Sequence, residues 1–106
     1  MYSKRKEVRK MDMTMNEYQD FVNKSSVNTS ISVCALGIHH ASGKLSNNLK
    51  NSMTGEGEFS EENMAEALGD TLWYISCAAL HMGMSLDTIA QLNIAKLKKR
   101  YPERFK

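Results

Sequence analysis

The sequence predicts an all-α protein, a bundle of four helices in one domain. In four segments the apolar residues recur at steps of three and four, which places them on one face of a helix. Ser or Thr side chains suited to cap a helix precede these segments. No segment shows the two-residue alternation of a half-buried strand, and the single proline, Pro102, follows the last helical segment.

Composition and charge exclude several classes of protein. Apolar residues make up 42% of the 106 residues and charged residues 25%, as in ordinary globular domains. The net charge of +2 is too small to indicate a specific nucleic-acid partner, and no apolar run approaches the roughly 20 residues that span a bilayer. Cys34 and Cys77 lie among apolar neighbours, which predicts buried free thiols in a reducing compartment. Without a secretory signal in the sequence, we expect a cytoplasmic protein with no membrane partner.

Residues 1–13 are predicted to form a basic extension ahead of a helical domain at residues 14–106. The extension carries five cations, Lys4, Arg5, Lys6, Arg9 and Lys10. Such a segment is typical of a solvated terminus, and it also suits an arm that contacts an anionic ligand or a neighbouring subunit.

Local signals set the ends of the first two helices. Thr14 and Glu17 form a capping box, and an apolar stripe of Tyr18, Phe21 and Val22 follows it. The second helix is predicted at about residues 30–52. Its apolar face comprises Ile31, Cys34, Ala35, Ile38, Ala41, Ser42, Leu45 and Leu49. Each glycine inside this helix, Gly37 and Gly43, costs about 1 kcal/mol relative to alanine, which indicates close approach of another helix or a ligand.

The third helix begins at its N-cap Ser60 and ends at Gly83. From Leu68 to Met82 it is apolar nearly all round, which predicts burial in a homodimer or homotetramer. Asp70 is the acidic residue set into this run. A lone carboxylate is costly to bury, so Asp70 either faces water or lies beside a cation or hydrogen-bond donors.

The fourth helix begins at its N-cap Ser85 and ends before Pro102. Asn93, Lys96 and Arg100 recur on it at steps of three and four. This spacing puts an amide and two cations along one edge of the helix.

Three stretches in this order resemble the MazG-like nucleotide pyrophosphohydrolases. They are residues 35–44 (ALGIHHASGK), 68–74 (LGDTLWY) and 93–102 (NIAKLKKRYP). With Tyr18, the resemblance covers essentially residues 14–103. It implies an oligomeric all-α bundle that hydrolyses nucleoside triphosphates to monophosphate and pyrophosphate by metal-assisted attack of water.

The resemblance implies four metal-binding carboxylates, and this chain departs from that pattern. The family pairs them three residues apart on the second and third helices, which correspond here to Ala41, Lys44, Ala67 and Asp70. One carboxylate does not hold Mg²⁺ against its hydration shell, and Glu66 lies about 100° away from position 67 around the helix. We therefore assign no catalytic residue, and we expect Mg²⁺ as a cofactor only if residual activity survives.

The remaining residues predict a site that binds a nucleotide without cutting it. Lys44 stands where metal would stand, and its ammonium can meet phosphate oxygens or pair with Asp70. The resemblance puts two cations and a tyrosine of the last helix at phosphate-binding positions and an asparagine near the metal. Independently of the resemblance, the ring of Trp73 or Tyr74 can stack on a base. The predicted nucleotide-binding residues are Lys44, Asn93, Lys96, Arg100, Tyr101, His40 and Trp73, with Asp70 as the surviving metal position.

Three functions stay open at this point. The favoured interpretation is sequestration or sensing of a nucleotide, or of a molecule derived from one, without catalysis. The second is a Mg²⁺-dependent nucleoside triphosphate pyrophosphohydrolase. The third is a structural or protein-binding bundle in which Asp70 is a relic paired with Lys44, and His40 and Trp73 serve only the surface or core.

Overall fold

The computed structural model describes residues 12–26 and 29–105, and within these ranges the chain is all-helical, as predicted. Four α-helices span Met15–Ser25 (α1), Ile31–Thr54 (α2), Glu61–His81 (α3) and Leu86–Arg100 (α4), and a 3-10 helix spans Pro102–Phe105. The described ranges contain no strand. None of their helices combines the length and the apolar character that a membrane crossing requires. The five cations of the predicted basic extension all lie outside the described residues.

Hydroxyl side chains begin all four described helices. The predicted capping box is confirmed, because Thr14 Oγ1 accepts from the Glu17 N–H at 3.1 Å and Glu17 Oε1 accepts from the Thr14 N–H at 3.3 Å. Ser30, Ser60 and Ser85 likewise accept from the N–H group three residues on. Each such cap contributes about 1 kcal/mol to the stability of its helix. The helix starts could therefore be predicted from local sequence.

Glycines with positive φ follow the two long helices. Gly55 has a φ of 78° after α2, and Gly83 has a φ of 68° after α3. Residues other than glycine rarely adopt this left-handed backbone conformation. The predicted end of the third helix near Gly83 is confirmed, whereas α2 continues two residues beyond its predicted end at residue 52.

The bundle is organised around an antiparallel pair, α2 and α3. At one end, Asn48 exchanges two hydrogen bonds with the backbone of Ser60, at 2.9 and 3.1 Å. At the other end, the Thr29 hydroxyl lies 3.1 Å from Cys77 Sγ and 3.3 Å from His81 Nε2. Helices α1 and α4 pack against this pair, mainly on α3 and on each other.

The centre of the core is formed by Val22, Cys34 and Cys77, which are at most 1% exposed. Both cysteines are free thiols, as predicted. Tyr18, Trp73, Ala78 and Leu80 pack around this centre.

Gln19 fastens α1 to the connection between α3 and α4. Its amide donates to the Met84 carbonyl at 3.0 Å, and its carbonyl accepts from the Leu86 N–H at 3.0 Å. The side chain is only 5% exposed, and these two bonds give its buried amide group the hydrogen-bond partners that water cannot supply there.

The packing corrects two expectations about apolar side chains. Phe21, expected in the inner stripe of the first helix, is 61% exposed because it lies about 200° around the axis from the buried Gln19. Ile31 and Leu49, expected on the inner face of α2, are about half exposed. In α3, Leu68 is 57% exposed in the single chain, and the expected burial of this helix in an oligomer stays a prediction.

The two glycines inside α2 differ in their surroundings. A Cβ atom on the buried Gly37 would overlap three atoms of the Tyr74 ring, so the expected close approach of another helix is confirmed there. A Cβ atom on Gly43 would meet nothing within 4 Å, so no other helix approaches Gly43 in the described part of the single chain, and the alternative of a ligand there stays a prediction. The Tyr74 ring of α3 therefore packs directly on Gly37 of α2.

Candidate functional site

A polar cavity of about 350 Å³ lies beside the α2–α3 pair, near the connection between the two helices. Its α2 wall consists of Lys44 and three asparagines that follow it at helical spacing, Asn47, Asn48 and Asn51. The opposite wall, formed by α3 and the connection, includes Glu58, Asn63, Glu66, Ala67 and Asp70. The cavity therefore offers one ammonium, several amides and three carboxylates to a ligand.

A second cavity, of about 460 Å³, adjoins the first and is more aromatic. Its lining comprises His40, Ala41, Lys44, Asp70, Trp73 and Tyr74. Because Lys44 and Asp70 line both cavities, these two side chains lie at the boundary between them. We call the two cavities together the α2–α3 cleft.

The structure brings four of the predicted site residues together in this cleft. These are His40, Lys44, Asp70 and Trp73. The pairing of Lys44 with Asp70, one of the alternatives that the sequence left open, is absent, because no salt bridge of 4.0 Å or less joins these two described side chains. Both residues are exposed in the single chain, so solvent screens each charge.

Trp73 and Tyr74 meet edge to face, with ring centroids 5.3 Å apart and planes at 89°. The Trp73 indole N–H donates to Ser25 Oγ at 3.3 Å, which ties the ring to the end of α1. Both side chains are partly buried. They therefore serve the packing of the bundle and the wall of the cleft at once.

The other predicted residues lie elsewhere in the single chain. Asn93 and Lys96 line a third cavity of about 550 Å³ that is mostly apolar and includes Leu72. Leu72 is two residues from Asp70 on α3, about 200° around the helix axis, so the third cavity and the cleft lie on different sides of α3.

Arg100 and Tyr101 line none of these three cavities. The Arg104 guanidinium lies over the Tyr101 ring, 4.7 Å from its centroid, in a cation–π contact. The predicted site residues of α4 and the residue that follows it therefore lie outside the α2–α3 cleft within one chain.

Positions 41, 44, 67 and 70 converge on the cleft. Ala41 and Ala67, which are 1% and 3% exposed, present buried methyl groups at its floor. Lys44 and Asp70 line both of its halves. The i,i+3 pairs on the two helices thus face a common space, although only one of the four residues is a carboxylate.

Sequence reasoning missed several side chains of the cleft. Glu66 was set aside because of its rotation around the helix, yet it lines the same cavity as Asp70, as does Glu58 from the preceding connection. The repeat of Asn47, Asn48 and Asn51 after Lys44 was a signal that could have found the amide wall. In the described ranges, no three carboxylates come together closely enough to hold a metal ion.

The pKa of the Tyr18 phenol depends in part on the charge of Asp70. Burial, and secondly the negative charge of Asp70, raise the pKa of the Tyr18 phenol above its usual value of 10.0. Because the pKa is higher in the folded state, the contribution of Tyr18 to stability is fully present below pH 10 and is lost as the pH rises through the folded-state pKa.

Replacing Asp70 with asparagine is therefore expected to lower the pKa of Tyr18 while leaving it above 10.0, since burial is the larger cause. The measurement is a pH titration of the tyrosine ring signals by NMR, with the Tyr18 signal assigned from a Tyr18→Phe variant. Asp87→Asn on α4 is the matched control and should leave the Tyr18 titration unchanged. An unaltered midpoint in Asp70→Asn would contradict the placement of Asp70 near the phenol.

Comparison with protein families gives a match that includes every residue lining the cleft except His40 and Ala41. A sequence model of the MazG nucleotide pyrophosphohydrolase domain matches residues 43–105. No curated protein and no solved structure shows significant similarity to the chain. The family match covers more than half of the 106 residues and includes Lys44, Asp70, Asn93 and Lys96. The chain therefore belongs to the MazG nucleotide pyrophosphohydrolase family.

Proposed function

We propose that this protein binds a nucleotide in the α2–α3 cleft and does not hydrolyse it, in order to sequester or sense that nucleotide. The observation that carries the proposal is the placement of Lys44. At a position where the family resemblance implies a metal-binding carboxylate, its ammonium lines both halves of the cleft beside Asp70. A fixed cation there replaces the positive charge that a metal ion supplies to phosphate.

The residues of the cleft do not fit Mg²⁺. This ion requires near-octahedral oxygen coordination and leaves water reluctantly. Ala41 and Ala67 offer no oxygen ligand, and the ammonium of Lys44 repels a cation at the same place. We therefore assign no hydrolytic step to this site.

The cleft has groups for each part of a nucleotide. The three N–H donors of Lys44 form charge-assisted hydrogen bonds with phosphate oxygens, and the asparagines beside it on α2 add neutral donors. Trp73, Tyr74 and His40 give the adjoining cavity a planar, partly apolar lining that suits a base. In the proposed complex the phosphates lie at Lys44 and the base lies beside Trp73.

A specific observation also favours the enzyme. Glu58 and Glu66 line the same cavity as Asp70, so three carboxylates face one space even though they are not clustered around a common point. Membership of a pyrophosphohydrolase family supports this alternative as well.

We further propose that the protein is a homodimer or homotetramer. Large apolar side chains are exposed on each helix that surrounds the core, among them Phe21, Leu36, Leu68 and Leu92, each more than half exposed. A second copy packed on such a face would cover them. It would also offer its own α4, with Lys96 and Arg100, to a cleft that one chain leaves without those cations.

The function is tested by thermal unfolding with a panel of nucleotides, with and without Mg²⁺, followed by chromatography of the recovered nucleotide. A binding protein should melt at higher temperature without Mg²⁺ and return the nucleotide intact. Nucleotide at 100 times its Kd adds about 2.7 kcal/mol to the free energy of unfolding. The Lys44→Met variant should lose most of this stabilisation, because it keeps the aliphatic stem and removes the charge.

Lys50→Met is the matched control on the same helix. Lys50 lies outside the cleft in an exposed pair with Glu56 at 3.7 Å, so its replacement should leave nucleotide binding unchanged. Release of pyrophosphate that depends on Mg²⁺ would overturn the proposal in favour of the enzyme. Unchanged melting with every nucleotide would instead favour a structural or protein-binding bundle.

A further inference from the structure

We infer that Cys34, Cys77 and His81 form a binding site for a thiophilic metal ion, Zn²⁺, at the end of the α2–α3 pair. In the described ranges these residues form the one cluster of three metal-ligating side chains, with their donor atoms all within 4.8 Å of one another. Cys77 lies seven residues from Asp70 on α3, about 10 Å along the axis. The inferred site is therefore distinct from the α2–α3 cleft.

The helix arrangement brings the three donors together. Cys77 and His81 are four residues apart in the last turns of α3, so they lie on one face of that helix. Cys34 is the fourth residue of α2, and the antiparallel pairing puts the start of α2 beside the end of α3. The cysteines are at most 1% exposed and His81 is exposed, so a metal ion would enter past the imidazole.

The donor set and its spacing suit Zn²⁺. Two thiolates and an imidazole are common zinc ligands, with Zn–S distances of about 2.3 Å that set tetrahedral sulfurs about 3.8 Å apart. Donor atoms already within 4.8 Å of one another need to shift by only about 1 Å to reach this geometry. Three protein ligands leave a fourth position for water on the exposed side, where His81 lies.

Thr29 contacts two of the three donors. Its hydroxyl lies 3.1 Å from Cys77 Sγ and 3.3 Å from His81 Nε2, so one side chain touches two of them. The hydroxyl can donate a hydrogen bond to a metal-bound thiolate. Partners of this kind orient metal ligands and tune their affinity.

The chemistry of the three donors selects the metal. Thiolate sulfur and imidazole nitrogen are ligands that Zn²⁺ prefers, whereas Mg²⁺ and Ca²⁺ prefer oxygen ligands.

The test uses the full chain, kept reduced with a phosphine, stripped of metal with a chelator and titrated with Co²⁺ and then Zn²⁺. We expect one equivalent of Co²⁺ to give thiolate-to-cobalt charge-transfer absorption and the intense visible bands of tetrahedral coordination. Zn²⁺ should displace the cobalt and raise the melting temperature, and Mg²⁺ should do neither. His81→Ala should weaken Zn²⁺ binding by more than about 100-fold, beyond the 10–100-fold that a lost supporting partner costs.

His39→Ala, which removes an exposed imidazole outside the cluster, is the matched control and should bind Zn²⁺ like the parent protein. Cys34→Ser and Cys77→Ser should abolish the charge-transfer bands, and the exposed His81 keeps the test valid if the buried cysteine variants fail to fold. Equal Zn²⁺ affinity in His81→Ala and the parent would overturn the inference. Co²⁺ spectra without sulfur charge transfer would overturn it as well.

Discussion

Replacing Ala41, Lys44 and Ala67 together with glutamate is expected to make the stability of the protein depend on Mg²⁺. All three positions face the α2–α3 cleft with Asp70, so the variant presents four carboxylates to one space. Positions 41 and 67 are buried in the parent protein, and uncompensated charge there is costly. Without a divalent ion the variant should therefore unfold at lower temperature than the parent.

Adding Mg²⁺ should recover much of that loss, because the ion binds only the folded arrangement. At 100 times its Kd it contributes about 2.7 kcal/mol to the free energy of unfolding. Thermal unfolding with and without Mg²⁺ measures the effect, and the parent protein should show no comparable response.

A control variant with the same change of net charge is Ala35→Glu, Lys50→Glu and Ala95→Glu, since all three positions are exposed and lie outside the cleft. This control should not respond to Mg²⁺ at the same concentrations. A triple cleft variant that folds and ignores Mg²⁺ would show that the four positions no longer form the geometry of a metal site.

The effect of Gly37→Ala is expected to reverse its sign when Tyr74 is also replaced. In the parent, the added Cβ would overlap the Tyr74 ring, and such overpacking costs about 1–3 kcal/mol. In a Tyr74→Ala background the overlap is absent, and alanine then stabilises the helix by up to about 1 kcal/mol relative to glycine. Urea unfolding of the four proteins of this double-mutant cycle measures both values.

Gly43→Ala is the matched control, because a Cβ at that position of the same helix meets nothing within 4 Å. It should stabilise the protein by up to about 1 kcal/mol whether or not Tyr74 is present. If Gly37→Ala cost the same in both backgrounds, contact with the Tyr74 ring would not be the reason for glycine at position 37.

Features that depend on neighbours in the chain could be predicted from sequence. The caps at Thr14, Ser60 and Ser85 and the end of α3 near Gly83 require only local residues, and each is confirmed. The family could also be predicted, because its motifs are short runs of residues within single helices.

Features that depend on how the helices pack could not be predicted in this way. Whether Glu66 reaches the same cavity as Asp70 depends on the width and shape of that cavity as well as on the rotation of each residue around α3. Lys96 was grouped with Lys44 by resemblance, but the side of α3 on which α4 packs separates them within one chain. The cluster of Cys34, Cys77 and His81 likewise exists only because α2 and α3 run antiparallel in this register.

The two hydrogen bonds of Gln19 make α1 an element that opens as a unit. At 11 residues it is too short to persist as an isolated helix, so its order depends on docking. Gln19 bonds to the backbone of Met84 and Leu86, more than sixty residues away, and the buried Val22 packs with Cys34 and Cys77. When those contacts break, we expect amide protons along α1 to exchange together before those of the α2–α3 pair. Such an opening also moves Tyr18 away from Asp70 and Ser25 away from the Trp73 indole, and Asp70 and Trp73 both line the α2–α3 cleft.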